Sequence, residues 1–206
     1  MKNWKIRSGK ATNDEEDPKI ISIERSSPFD NHLQGNKIYF YTDVDPDSVL
    51  NLNKQIDDLT KQMKMIQFTY NLPTPPNIEL HICSDGGDVF SSVAAIDKIK
   101  NNVVPIHTYC EGMVASAATL ISSVGHKRCI TKNSCMLIHQ VSSELWGNYT
   151  QFKDEVKNLE LVMELIRSVY INHTKFNDKE LEDLLNHDLY LDAKKCFQYG
   201  LVDEVI

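Results

Sequence analysis

"IELHICSDGGDVFSSVAAIDKIK", residues 78–100, decides the architecture. Its first six residues alternate, as in a strand whose successive side chains point to opposite faces. "SDGGD" (84–88) breaks the alternation, and from about Val89 to Lys100 the pattern is that of a helix. The unit then repeats in kind. "VPIHTYC" (104–110) reads as a strand, and "CEGMVASAATL" (110–120), a run of small residues around Ser116, opens another helix. Strands joined through helices need crossovers, so the order implies an α/β fold with a largely parallel sheet.

The flanks extend this order. "KIYFYTDV" (37–44) is aromatic and β-branched, a strand candidate. Val49, Leu52, Ile56, Leu59, Met63, Ile66 and Tyr70 then recur at steps of three and four, one face of a long helix. "NLPTPPN" (71–77) ends that helix, because proline lacks the N–H and restrains the residue before it. "KRCIT" and "CMLIH" are short strands closing the sheet. From Thr150 to about Thr174 a second long helix carries Phe152, Val156, Leu159, Val162, Met163, Ile166, Val169 and Tyr170. A short helix follows, with Asn177 as N-cap and Glu180 three residues on. A last one starts at Asp192 and stops at Gly200. Residues 1–36 are polar, mix both charges and show no period, so they read as an N-terminal arm before a single domain at 37–206.

Bulk properties narrow the function. A chain of 206 residues with 41% hydrophobic and 25% charged residues suits one soluble domain. The net charge of −7 argues against general binding to nucleic acid or to an anionic membrane. No apolar run approaches the roughly 20 residues that span a bilayer. "MKNWKIRSGKATNDEEDPK" (1–19) has no apolar core, so no secretory signal is expected. Five scattered cysteines (83, 110, 129, 135 and 196) fit reduced thiols in the cytoplasm better than a disulfide framework or a zinc site. The sequons at Asn148 and Asn172 then read as chance matches.

Two glycine-bearing turns, 84–87 and 112–116, each follow a strand and precede a helix, where parallel α/β sheets place their sites. "SDGGD" lacks the lysine and spacing of a phosphate loop, and Asp85 and Asp88 would repel phosphate. Gly86 and Gly87 instead permit close backbone approach and leave N–H groups free to hold an oxyanion. Opposite them Ser116 is either a small residue at a packed helix start or a nucleophile. A nucleophile needs a base, and His32, His81, His107, His126, His139, His173 and His187 are available. His139 stands apart because it ends an apolar strand at the same kind of edge as the turns. For an orienting carboxylate, spacing alone does not separate Asp188 from Asp183 or Asp192.

"SDGGDV", "GMVASAATL", "MLIHQ" and "HDLYLDAKKCFQYGLVDEVI", in that order from about Ile78 to Ile206, resemble the signature regions of the Clp protease proteolytic subunit, ClpP. The resemblance implies a divergent member with the ClpP/crotonase-like fold, built of repeated β-β-α units with a protruding helix–strand handle at about 140–176. It implies a serine endopeptidase with Ser116 as nucleophile, His139 as base and Asp188 as orienting acid. Gly87 and Ala117 would supply the oxyanion N–H groups, and no cofactor or metal is needed. Polypeptides would be cleaved inside a homo-oligomer of two stacked heptameric rings, fed by an ATP-driven (AAA+) unfoldase, with the helix from Thr150 joining the rings.

The chain departs from the family pattern in several places. Asp85 stands where the family has proline, Val114 where it has a small residue, and Ala118 where it often has glycine. The loop at His126 and Lys127 is shorter. "VSSE" (141–144) replaces a proline and a glycine pair beside the expected peptide path. Residues 1–36 do not resemble the family's axial-loop region. Three other readings stand beside this one: an acyl-CoA enzyme of the crotonase fold, an inactive structural ring subunit, and a serine–lysine dyad drawing on Lys127 or Lys132. The joint presence of Ser116, His139 and Asp188 favours the triad over all three.

Overall fold

The computed structural model describes residues 33–206; the stretch 1–32, with His32 and most of the expected arm, lies outside the described residues. The elements in chain order are β1 (Leu33–Gln34), β2 (Lys37–Phe40), α1 (Pro46–Thr69), β3 (Ile78–Ser84), α2 (Val89–Lys100), β4 (Ile106–Ala115) and α3 (Ala117–Ser123). They continue as β5 (Lys127–Ile130), β6 (Cys135–Leu137), α4 (Tyr149–His173), α5 (Asp178–Leu185), β7 (Tyr190–Asp192), α6 (Ala193–Gln198) and β8 (Glu204–Val205). β1 and β2 form an antiparallel hairpin, so residues 33–36 join the sheet.

The sheet runs β1-β2-β3-β4-β5-β8, and every pair from β2 onward is parallel. The alternation of strands and helices in the sequence is therefore realised as crossovers. Ile38, Phe40, Ile78, Leu80, Ile82 and Ile106 are fully buried on one face, against which α1 and α3 pack, with α2 lying against both helices. Each such side chain contributes about 1.5–3 kcal/mol of burial. α1 adds Leu52, Ile56 and Leu59, all fully buried, at the predicted spacing. It starts where Asp45 and Ser48 form a capping box with Pro46 in the first turn.

β4 departs from the sequence reading. The sequence reads 112–116 as a turn after a strand ending at Cys110, yet the strand runs on to Ala115. Between the pairs Ile82↔Cys110 and Ser84↔Val114, β4 advances four residues while β3 advances two. Gly112 absorbs the excess at φ 62°, a conformation glycine adopts freely. The bulge gives β4 two sets of partners. Before it, His107–Cys110 pair with β5; after it, Met113–Ala115 pair with β6. Gly, Ala and Ser carry little periodicity, which is why the strand's second half is hard to see in the sequence.

β6 in turn pairs antiparallel with β7, binding the segment before His139 to the segment after Asp188. α4 buries Ile166 and Tyr170 in its second half, while Tyr149, Phe152, Val156 and Leu161 in its first half are exposed. Residues 138–148, ahead of α4, join no β-ladder among the described residues.

Candidate active site

Ser116 stands between the end of β4 and the start of α3 at φ 51°, ψ −127°. A non-glycine residue rarely takes such a conformation, and it costs on the order of 1–3 kcal/mol. Three bonds hold it there. Its own N–H donates to the Leu137 carbonyl at 2.8 Å, and its carbonyl accepts from the Thr119 amide at 2.9 Å and hydroxyl at 2.6 Å. The strained strand-to-helix turn lifts the hydroxyl out of the sheet edge, the geometry a nucleophile elbow needs.

The Ser116 hydroxyl and His139 Nε2 are 2.9 Å apart, and His139 Nδ1 is 3.0 Å from Asp188 Oδ1. For the serine to donate to Nε2, the imidazole proton must sit on Nδ1, where the Asp188 carboxylate accepts it. The residues around the relay are tied to one another. β6 lies beside Ser116 through the Leu137 bond and leads directly into His139. The Gln140 amide donates to the Leu185 carbonyl at 2.9 Å, which fixes the end of α5 three residues before Asp188. The Asp188 side chain is 79% exposed and that of His139 30%, so water reaches this end of the relay in the single chain.

The glycine turn comes from the other side. Val44, just after β2, clamps it: the Val44 amide donates to Gly86 O and the Asp88 amide to Val44 O, both at 2.7 Å. A β-carbon on Gly87 would lie 2.2 Å from Val44 O, and one on Gly86 2.6 Å from Ser116 Cβ. Gly86 and Gly87 sit at φ 99° and 142°. Only glycine lets these three backbones meet. The Gly87 amide takes part in neither clamp bond. The Ala117 amide opens α3 and is one of the N–H groups that a helix leaves without an intrahelical acceptor. Both amides thus flank Ser116 with donors to spare.

The other candidates fall elsewhere. His81 is stacked between Tyr39 and Tyr109 and bonded to Glu111 at 2.8 Å on the far face of the sheet. His126 Nδ1 accepts the Ile106 amide, and His173 Nδ1 faces the Val169 carbonyl. His107 heads the opposite end of β4, where burial holds it below the usual histidine range. Asp192 is engaged as N-cap of α6, and Asp183 lies on the outside of α5. Lys127 pairs with Glu204 and is in register with His107, remote from Ser116. All five cysteines are free.

The family model of the Clp protease matches residues 34–206. The chain belongs to the Clp protease family. Its mixed α/β architecture, with a mostly parallel sheet and helices, is that of the ClpP/crotonase-like fold. Membership makes it a ClpP-like peptidase, a hydrolase of peptides, in a family whose members assemble into oligomers. No helix among the described residues is long and apolar enough to cross a membrane.

A groove of about 490 Å³ opens beside Ser116, between the turn 87–90, the segment 139–143 and α4. Sequence reading anticipated the turns and the segment "VSSE" but not the contribution of α4 to this wall. Nor did it find Val44, Leu137 or Leu185, which act through backbone atoms and so leave no side-chain signal. Tyr170 is another such support. Its hydroxyl lies 2.6 Å from that of Thr119, fully buried, and burial pushes the phenol above its usual range.

Proposed function

We propose that the chain is a serine endopeptidase in which Ser116, His139 and Asp188 act as a triad. The observation that carries the reading is the continuous hydrogen-bonded relay from Ser116 Oγ through both imidazole nitrogens to Asp188. His139 Nε2 takes the proton as Ser116 Oγ attacks the peptide carbonyl carbon. The carbonyl oxygen becomes an oxyanion held by the Gly87 and Ala117 amides, whose positions cost no reorganisation during the reaction. Collapse of the tetrahedral intermediate breaks the C–N bond, and His139 returns the proton to the leaving amine. Water, activated by the same imidazole, then hydrolyses the acyl-enzyme. Asp188 keeps the ring in the required tautomer and stabilises the imidazolium.

In this reading the peptidase works within stacked rings whose contacts cover the exposed first half of α4, and an ATP-driven unfoldase delivers folded substrates. The exposed Phe152 and Val156 support the ring contact. Hydrolysis of short fluorogenic peptides by wild type, Ser116→Ala and His139→Ala tests the chemistry. Both variants should lose activity to a similar extent, because residues acting as a unit are not additive. Persisting hydrolysis by clean Ser116→Ala protein would sink the assignment.

A further inference from the structure

The groove beside Ser116 has a charge that the catalytic reading does not use. Glu155, Leu159 and Val162 lie at i, i+4 and i+7 on α4, a single face about 10 Å long, and all three line the groove. Val89 and Phe90 add apolar lining from the start of α2. Two carboxylates, Asp88 and Glu155, line the groove, and no Lys or Arg does. Asp88 is committed to α2, accepting from the Ser91 amide at 2.7 Å and hydroxyl at 2.6 Å. Glu155 accepts from the neutral Ser143 hydroxyl at 2.7 Å and, among the described residues, forms no ion pair with Lys or Arg. Ser143 thus holds in place a carboxylate of a groove that has no Lys or Arg to balance it.

We propose that Glu155 makes the groove selective for peptides carrying lysine or arginine at the residue whose carbonyl Ser116 attacks. The inference rests on the peptidase reading above and names its substrate class. Ser116 and the α4 face line the same groove, so a side chain of that residue entering it would lie against α4. A lysine or arginine stem is long and apolar enough to lie against Leu159 and Val162 while its cation meets Glu155. An apolar side chain of the same length would strip water from Glu155 and offer it no partner. A glutamate would meet two like charges. Ser143 belongs to the "VSSE" segment, so the departure from the family's proline and glycine pair is what supplies the hydroxyl that orients Glu155.

The test uses the full chain and three fluorogenic peptides that differ only at the residue before the reporter amide: lysine, glutamine or glutamate. Wild type should rank them Lys > Gln > Glu in kcat/KM, with Lys over Glu by about tenfold, the scale of an attraction and a repulsion at a partly exposed carboxylate. The ratio should shrink as NaCl rises from about 50 mM to about 500 mM, because screening weakens exposed charge pairs. Glu155→Gln should cut the ratio severalfold, and Glu155→Lys should reverse the order. An unchanged ratio in both variants, or a wild-type preference for glutamate, would overturn this inference while peptide turnover kept the peptidase reading intact. No turnover of any peptide by wild type, with Ser116 inert to a fluorophosphonate, would overturn the peptidase reading and this inference with it.

Discussion

Gly86 packs so closely on Ser116 that a β-carbon added to it would lie 2.6 Å from Ser116 Cβ and 2.7 Å from the Ala115 carbonyl oxygen. The two turns that flank the candidate site are therefore a single packed unit. Gly86→Ala meets both this clash and an unfavourable φ of 99°. It should destabilise the fold by roughly 2–4 kcal/mol and abolish peptide hydrolysis, since relief of the clash must move Ser116. Chemical denaturation and a peptidase assay on the same preparation check it.

Tyr170 braces the same turn from α4. The Thr119 hydroxyl donates to Ser116 O, so the Tyr170 hydroxyl is the donor to Thr119. Tyr170→Phe should cost about 1–2 kcal/mol, the loss of one buried hydrogen bond with its acceptor left behind. Activity should fall less than tenfold, because Ser116 keeps its bonds to Leu137 and Thr119. Wild-type stability in this variant would show that the α3–α4 bond is not a support.

Asp203 anchors β8 to β5. Its carboxylate accepts from the Arg128 side chain and from the Arg128 amide at 2.9 Å, and Arg128 holds it below its usual pKa of 3.8. A depressed carboxylate pKa gives stability that is present above the unfolded value and is lost as the pH falls through the folded one. The side chain is partly open to water, so the pair contributes no more than about 1 kcal/mol. Asp203→Asn should therefore be less stable than wild type at pH 7, and the gap should close below about pH 4. A gap independent of pH in urea titrations would contradict the assignment.

Val156 is 55% exposed on the projecting half of α4. A charge there costs the single chain little, so Val156→Asp reports on association. It should leave the far-UV spectrum intact and shift sedimentation to smaller particles, because an unpaired carboxylate in a ring contact costs several kcal/mol at each symmetric copy. Unchanged sedimentation would remove α4 from the assembly contact.

The periodic elements were legible because burial imposes period: α1, α2 and α4 fall within a few residues of their predicted limits. Asn177 and Glu180 marked α5 by their capping chemistry. β7, three residues long, and the two-residue β1 and β8 carry too few residues for a pattern. At the site, the residue types and the two glycine turns were visible as strand-end signals. That Asp188, rather than Asp183 or Asp192, meets His139 was not visible from spacing, because it depends on β6–β7 pairing and on the Gln140–Leu185 bond. The Glu155 side of the groove was hidden for a similar reason: its partner Ser143 lies twelve residues away on an irregular segment.

If Ser116 is a nucleophile activated by His139, a fluorophosphonate will find it. The reagent reacts quickly only with an activated serine. One adduct is expected, mapped by peptide mass spectrometry to Ser116, absent in Ser116→Ala and strongly slowed in His139→Ala. An adduct on another serine, or full labelling of Ser116 in His139→Ala, would contradict it.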